Sequence, residues 1–223
     1  MDLPYEKRRT AHCEIVMQKG FFTTDDWLGE LRELFANGTV IKKGNTAKVV
    51  RAQHNNQQIL IKKYKVKTLW HSLRHSGRAN RAKKSWQAGF KLQKCGIPTP
   101  TPLGYISEYK YGLFAGAYLV TEYIENQDLH QYFTTLQDKE QLQKTAKLTQ
   151  NIFDLLEQNY IVHGDCKCMN ILIHDHKPIL IDLDSIKFYG YLGFQRRKNK
   201  DRKRFRHELR RFPHLQEFFG EML

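Results

Sequence analysis

Acidic residues are scarce in this chain: 23 Asp and Glu stand against 37 Lys and Arg, a formal net charge of +14 over 223 residues. The deficit is sharpest from Leu60 to Lys94, where eleven Lys or Arg occur and no Asp or Glu. Such a field favours anionic partners and disfavours polycationic ones. Long apolar runs are missing too. Nothing approaches the roughly 20 apolar residues that span a bilayer, and the opening MDLPYEKRRT has no signal-peptide apolar core. The expectation is a protein that stays in the cytoplasm. Four cysteines, Cys13, Cys95, Cys166 and Cys168, do not make a disulfide framework in a chain this long, so reduced thiols are expected. Cys166 and Cys168 form one CxC rather than the paired CxxC of a structural zinc site, and read as small loop residues.

What is present is concentrated in His163 to Asp184, HGDCKCMNILIHDHKPILIDLD. A polar loop, His163 to Asn170, precedes an apolar run, Ile171 to Ile173. A turn is expected at Asp175 to Pro178, then a second apolar run, Ile179 to Ile181. A hairpin of this kind brings Asp165, Asn170 and Asp182 to one end. The competing reading is a tight turn in which Asp165 caps backbone amides and Asp182 merely ends a strand.

Transfer of a γ-phosphoryl group needs hard oxygen ligands for magnesium and a carboxylate that can take the proton of an acceptor hydroxyl. His163, Asp165 and Asn170 resemble the protein-kinase catalytic loop H-R-D-x-x-x-x-N, and more closely the HGD version of small-molecule and sugar kinases. The resemblance implies Asp165 as the base, Asn170 and Asp182 as magnesium ligands, and Lys167 as a contact to the transferred phosphate. Asp182 stands where the D-F-G aspartate falls, but Leu183 and Asp184 follow it, so the Phe-Gly switch is absent. Asp184 is a further candidate ligand.

Upstream, Thr39 to Val50 reads as strand, turn at Gly44-Asn45-Thr46-Ala47, strand, with a turn at Gln53 to Gln58 before a third strand, Ile59 to Tyr64. Gly44 is the single glycine where kinases have GxGxxG over the ATP phosphates. Ile59-Leu60-Ile61-Lys62 resembles the V-A-I-K strand, whose lysine holds the α- and β-phosphates. Alternation lets only one of Lys62 and Lys63 face a nucleotide; Lys62 is the candidate and Lys63 its rival. Arg78 to Lys94 has helical spacing but lacks the glutamate that pairs with this lysine in protein kinases. Tyr118 to Ile124 reads as a buried strand whose Glu122 and Ile124 lie where kinases offer main-chain groups to adenine. Asp128 is expected to cap a short helix through Phe133. Leu142 to Gln158 reads as an amphipathic helix with Leu148, Ile152, Leu155 and Leu156 inward.

The pattern RAxxAxxxWxxGxxLxxxGIPTPxPLGY, Arg78 to Tyr105, resembles the lipopolysaccharide kinase family, bacterial enzymes that phosphorylate heptose or Kdo sugars of the lipopolysaccharide inner core; the likeness runs from about Val40 onward. It implies an α+β, bilobal protein-kinase-like fold, one kinase-like domain over 1–223. A small antiparallel β lobe would occupy 1–121 and a mainly helical lobe 122–223. It also implies ATP and Mg2+ as cofactors, a lipopolysaccharide-core or other anionic saccharide substrate, and peripheral contact with the cytoplasmic face of the inner membrane. A second basic field, Arg196 to Arg211, has ten Lys or Arg against two acids. Nucleic acid is the weaker expectation, because few aromatic residues interleave with the basic ones. Arg202 to Arg210 and Phe212 to Phe219 read as two short closing helices that pack on the second lobe, the alternative being that they lie on the inner leaflet with arginines toward phosphates. A protein or small-molecule acceptor, and a non-catalytic module that docks on anionic surfaces, are the rival readings.

Overall fold

Strand propensity and alternation in the first half, and helical spacing in the second, produce two different kinds of structure. The computed structural model describes residues 5–65, 81–125 and 127–220. The basic run between Val66 and Asn80, and the start expected for a helix at Arg78, lie outside the described residues. Contacts divide the chain into two compact units, Met1–Gln87 with Thr101–Tyr123, and Ala88–Pro100 with Ile124–Leu223.

The first unit is a seven-stranded antiparallel sheet, in the order β1 (Tyr5–Arg9), β2 (Cys13–Gln18), β6 (Pro102–Lys110), β7 (Leu113–Glu122), β5 (Gln57–Tyr64), β4 (Ala47–His54), β3 (Thr39–Lys43). The three-strand start expected around Gly44 is present as β3, β4 and β5. Asn55 and Asn56, both at positive φ, form the two-residue turn between β4 and β5. The strands β1 and β2 were not foreseen. Neither was α1 (Trp27–Asn37), which Asp26 caps by accepting from the Gly29 amide at 2.9 Å. One sheet face packs on α1 through Trp27, Leu31, Phe35, Ile59, Ile61, Tyr118 and Val120. The opposite face joins Val16, Tyr64, Tyr105, Ala117 and Leu119 to Ala82 of α2 (Arg81–Lys94).

Gly96 at φ +72° ends α2, with the Ile97 amide bonding back to the Leu92 carbonyl at 2.9 Å. The Ile97 to Pro100 segment then clips the edge of β11 (Lys177–Leu180). The Leu180 amide donates to the Pro98 carbonyl at 2.9 Å, and the Thr99 hydroxyl donates to the Leu180 carbonyl at 2.8 Å. The rest of the second unit is mainly helical: α3 (Leu129–Thr135), α4 (Lys139–Gln158), α5 (Tyr191–Gln195), α6 (Lys200–Leu209) and α7 (Pro213–Phe219). Asp128, the second residue of β8 (Gln127–Asp128), caps α3 as expected, accepting from the Gln131 amide at 2.9 Å. On α4 the buried stripe is Leu142, Thr145, Ala146, Thr149, Ile152, Phe153 and Leu156. Leu148, expected inward, is exposed, because the stripe starts at Leu142 and 3.6-residue periodicity turns Leu148 away. Phe205, Leu209, Leu215 and Phe219 are almost wholly buried, so both closing helices pack into this unit's core.

Candidate active site

The hairpin of β10 (Ile171–His174) and β11 fixes the register of the site. Ile171 pairs with Leu180, and the Ile181 amide donates to the Asn170 carbonyl at 2.9 Å. Asn170 and Asp182 therefore leave the same end of the hairpin. Pro178, expected in the turn, lies within β11 opposite Ile173, and Asp175 and His176 at positive φ make a two-residue turn instead. Asp182 itself is left-handed, φ 60° and ψ 60°, a conformation uncommon for a non-glycine residue and concentrated at functional sites.

The loop from His163 to Asn170 is held from inside. His163 is fully buried; its Nε2 donates to the Ile181 carbonyl at 3.0 Å and its Nδ1 accepts from the Asp165 amide at 3.4 Å. Those two partners require a neutral ring protonated on Nε2, and burial lowers the imidazole pKa. Asn170 Nδ2 donates to the Asp165 carbonyl at 2.8 Å, which commits the nitrogen end of the amide to the loop and leaves Oδ1 as the end for a cation. With Asp182 and Asp184 close in sequence, the donors are all hard oxygens, the set that suits magnesium. Lys167 Nζ lies 3.0 Å from Asp165 Oδ1, and the Arg204 guanidinium also pairs with that oxygen. Asp165 keeps about a quarter of its side chain accessible.

Three residues of this site were missed in the sequence, and all come from α6. The Asp201 carboxylate accepts from the His163 amide at 2.6 Å and the Gly164 amide at 2.8 Å. Glu208 accepts from the Cys168 amide at 2.6 Å, and Arg204 reaches Asp165. Arg202 fastens the same helix to α4 through Asp154 at 2.5 Å and Glu157 at 2.7 Å. The signal was available: Asp201 stands one and two turns before Phe205 and Leu209, on the apolar stripe of an otherwise basic helix. Cys166 and Cys168 are buried, and burial raises both thiol pKa values, so they act as protonated packing groups.

In the first unit, alternation along β5 sends Lys62 to the face shared with Tyr64, whose ring it approaches to 5.2 Å. Lys63 takes the α1 face, 4.9 Å from the Tyr118 ring and 5.7 Å from Phe35. Lys62 is thus on the α2 face of the sheet. There the polarity of the usual helix-to-sheet ion pair is reversed: Lys83 of α2 reaches Glu14 of β2 at 2.8 Å, and the Tyr105 hydroxyl donates to the same carboxylate at 2.6 Å. The Gly44 amide closes its hairpin on the Ala47 carbonyl at 2.9 Å. The Glu122 amide donates to the Thr101 carbonyl at 3.0 Å, and the Glu122 carbonyl accepts from the Thr121 hydroxyl at 3.0 Å. Ile124 begins the second unit.

Over 157 residues the chain is 28% identical to a probable bifunctional tRNA threonylcarbamoyladenosine biosynthesis protein of Methanosphaera stadtmanae, matching 68% of this chain but only 27% of that relative's length. Among solved structures, WaaP in complex with acyl carrier protein superimposes with a TM-score of 0.61 at 18% identity, covering 92% of this chain and 88% of that one, which makes the fold α+β and protein-kinase-like. The sequence model of the lipopolysaccharide kinase (Kdo/WaaP) family matches residues 35–214. The chain belongs to the lipopolysaccharide kinase (Kdo/WaaP) family, whose members are kinases that transfer a phosphoryl group to an alcohol.

Proposed function

We propose that the chain transfers the γ-phosphoryl group of ATP, with magnesium, to a sugar hydroxyl, heptose or Kdo, of the lipopolysaccharide inner core. The observation that supports this most directly is the convergence of Asp165, Asn170 and Asp182 on one end of a hairpin, within a match to a saccharide-kinase family. Asp165 takes the acceptor proton, and Lys167, already beside it, steadies the transferred phosphate. Asn170 and Asp182, with Asp184 as a further ligand, hold the cation that neutralises phosphate charge when bound. Lys62 holds the α- and β-phosphates. Gly44 shapes the turn over them, and main-chain groups of Glu122 and Ile124 meet adenine.

The acceptor is tested by phosphate transfer from radiolabelled ATP to unphosphorylated lipopolysaccharide core and to a generic protein, with Asp165→Ala as control. Label in the saccharide that the substitution abolishes supports the proposal; label only in protein overturns it. A second reading keeps the chemistry and changes the acceptor to a protein or soluble molecule. The Methanosphaera stadtmanae relative, whose name refers to tRNA threonylcarbamoyladenosine biosynthesis and not to lipopolysaccharide, is the observation that keeps this reading open. Acyl carrier protein, named with the structural neighbour, is a candidate partner that co-purification tests. The acceptor sugar lies on a lipid, so the reading places the enzyme at the cytoplasmic face of the inner membrane; no described helix is long and apolar enough to cross it.

A further inference from the structure

Immediately after the candidate ligands, the second unit turns apolar side chains outward. Phe188, Tyr191 and Leu192 are 38, 58 and 78% exposed, and Tyr160 beside them is 38% exposed. The four are contiguous. Phe188 of β12 (Lys187–Phe188) pairs with Ile161 of β9 (Ile161–Val162), the Tyr189 amide donates to the Tyr160 carbonyl at 3.0 Å, and the Tyr160 and Tyr191 rings lie 5.9 Å apart. From Ile186 to Lys200 there is no Asp or Glu, while Lys187, Arg196, Arg197, Lys198 and Lys200 are all exposed. The cations rim the rings directly: Lys91 Nζ is 4.7 Å from the Phe188 centroid, and the Arg197 guanidinium is 4.7 Å from that of Tyr189.

We propose that this face docks reversibly on an anionic phospholipid surface. Leu192, Tyr191 and Phe188 enter the boundary between headgroups and acyl chains while the basic rim meets lipid phosphates. Charge and side-chain type select this occupant. A second copy of the chain would set one basic rim against another. RNA would use the rings, but Leu192, the most exposed apolar side chain of the patch, has no π face on which a base can stack. So few inserted side chains give weak hold on neutral lipid, so binding depends on anionic headgroups. If the saccharide-kinase reading holds, the patch, starting four residues after Asp184, presents a lipid-borne acceptor to the loop that carries Asp165.

Vesicle flotation of the full chain tests the surface without any turnover, so its outcome is separate from that of the acceptor assay. Phosphatidylcholine vesicles containing phosphatidylglycerol should carry the protein up, pure phosphatidylcholine vesicles should not, and salt should weaken the binding. Combining Leu192→Asp, Arg196→Gln and Lys198→Gln should lower the partition coefficient at least 25-fold, since each basic residue near the surface contributes about fivefold, roughly 25-fold for two. Melting temperature and ATP affinity should be unchanged. Absence of wild-type flotation, equal flotation on neutral vesicles, or unchanged flotation of the variant overturns the proposal. So does RNA that competes the protein off vesicles and loses affinity for the variant in parallel, which would make the patch a nucleic-acid surface.

Discussion

One carboxylate, that of Asp201, accepts hydrogen bonds from two consecutive main-chain amides, those of His163 and Gly164. The loop is therefore shaped by a charged group 38 residues downstream rather than by its own turn residues. Asp201→Asn keeps the volume but supplies only one acceptor oxygen, leaving a buried amide without a partner, which costs about 1 to 3 kcal/mol. Denaturant unfolding should register that loss. The kcat for phosphoryl transfer should fall with ATP affinity nearly unchanged, and an unaltered kcat would remove Asp201 from the positioning of the loop.

With Asp165 as the proposed base, Asp165→Ala should lower kcat by about 10²-fold to 10⁴-fold, because a base acts in the transition state and not in nucleotide binding. Titration calorimetry with ATP and magnesium should return an affinity close to that of the wild type. Loss of affinity equal to the loss of rate would instead assign Asp165 to binding.

Gly164 has φ +84°, and a Cβ there would stand 3.0 Å from the Ser185 carbonyl oxygen. Gly164→Ala therefore meets backbone on one side and a left-handed conformation that costs about 1 to 2 kcal/mol on the other. A lowered melting temperature is expected, together with reduced activity, since the flanking residues are His163 and Asp165. A variant as stable and active as the parent would show that the turn relaxes freely.

Lys62 and Lys63 separate by face, and so should their substitutions. Lys62→Met is expected to weaken ATP binding at least tenfold, while Lys63→Met, on the α1 face, should change it little. Equilibrium nucleotide binding decides between them, and the reverse ranking would move the phosphate contact to Lys63.

Glu14 supplies a pH dependence. Burial alone would raise its pKa, but hydrogen bonds from Lys83 and Tyr105 and the Lys83 charge outweigh that and hold it below the ordinary carboxylate value of about 4.3. A lowered folded-state pKa contributes stability that is present above the unfolded value and lost as the pH falls through the folded one. Urea midpoints should drop between pH 5 and pH 3, and Glu14→Gln should show a smaller drop over the same range. Equal slopes would assign the acid sensitivity to other carboxylates.

Much of the fold was written locally. The turn residues at Gly44 and Asn55-Asn56 and the Asp128 cap each act within a few positions, and each is where sequence reading placed a turn or cap. The pairing of Asn170 with Ile181 follows from the same hairpin logic. Long-range relationships were not legible. No local signal ties Asp201 to His163, β2 to β6, or Lys83 to Glu14, because each depends on which surfaces meet after the chain has turned back. Leu148 illustrates a third limit: one apolar residue off the stripe of α4 is indistinguishable by composition from those on it.

The amides of His163, Gly164 and Cys168 all wait for carboxylates on α6. During synthesis the ribosome must release the chain beyond Glu208 before those amides find their acceptors. Until then the nascent polypeptide holds the HGD sequence without its supported shape, so phosphoryl transfer should switch on abruptly once α6 has emerged, and nascent chains arrested before that point should be silent however well their sheet has formed.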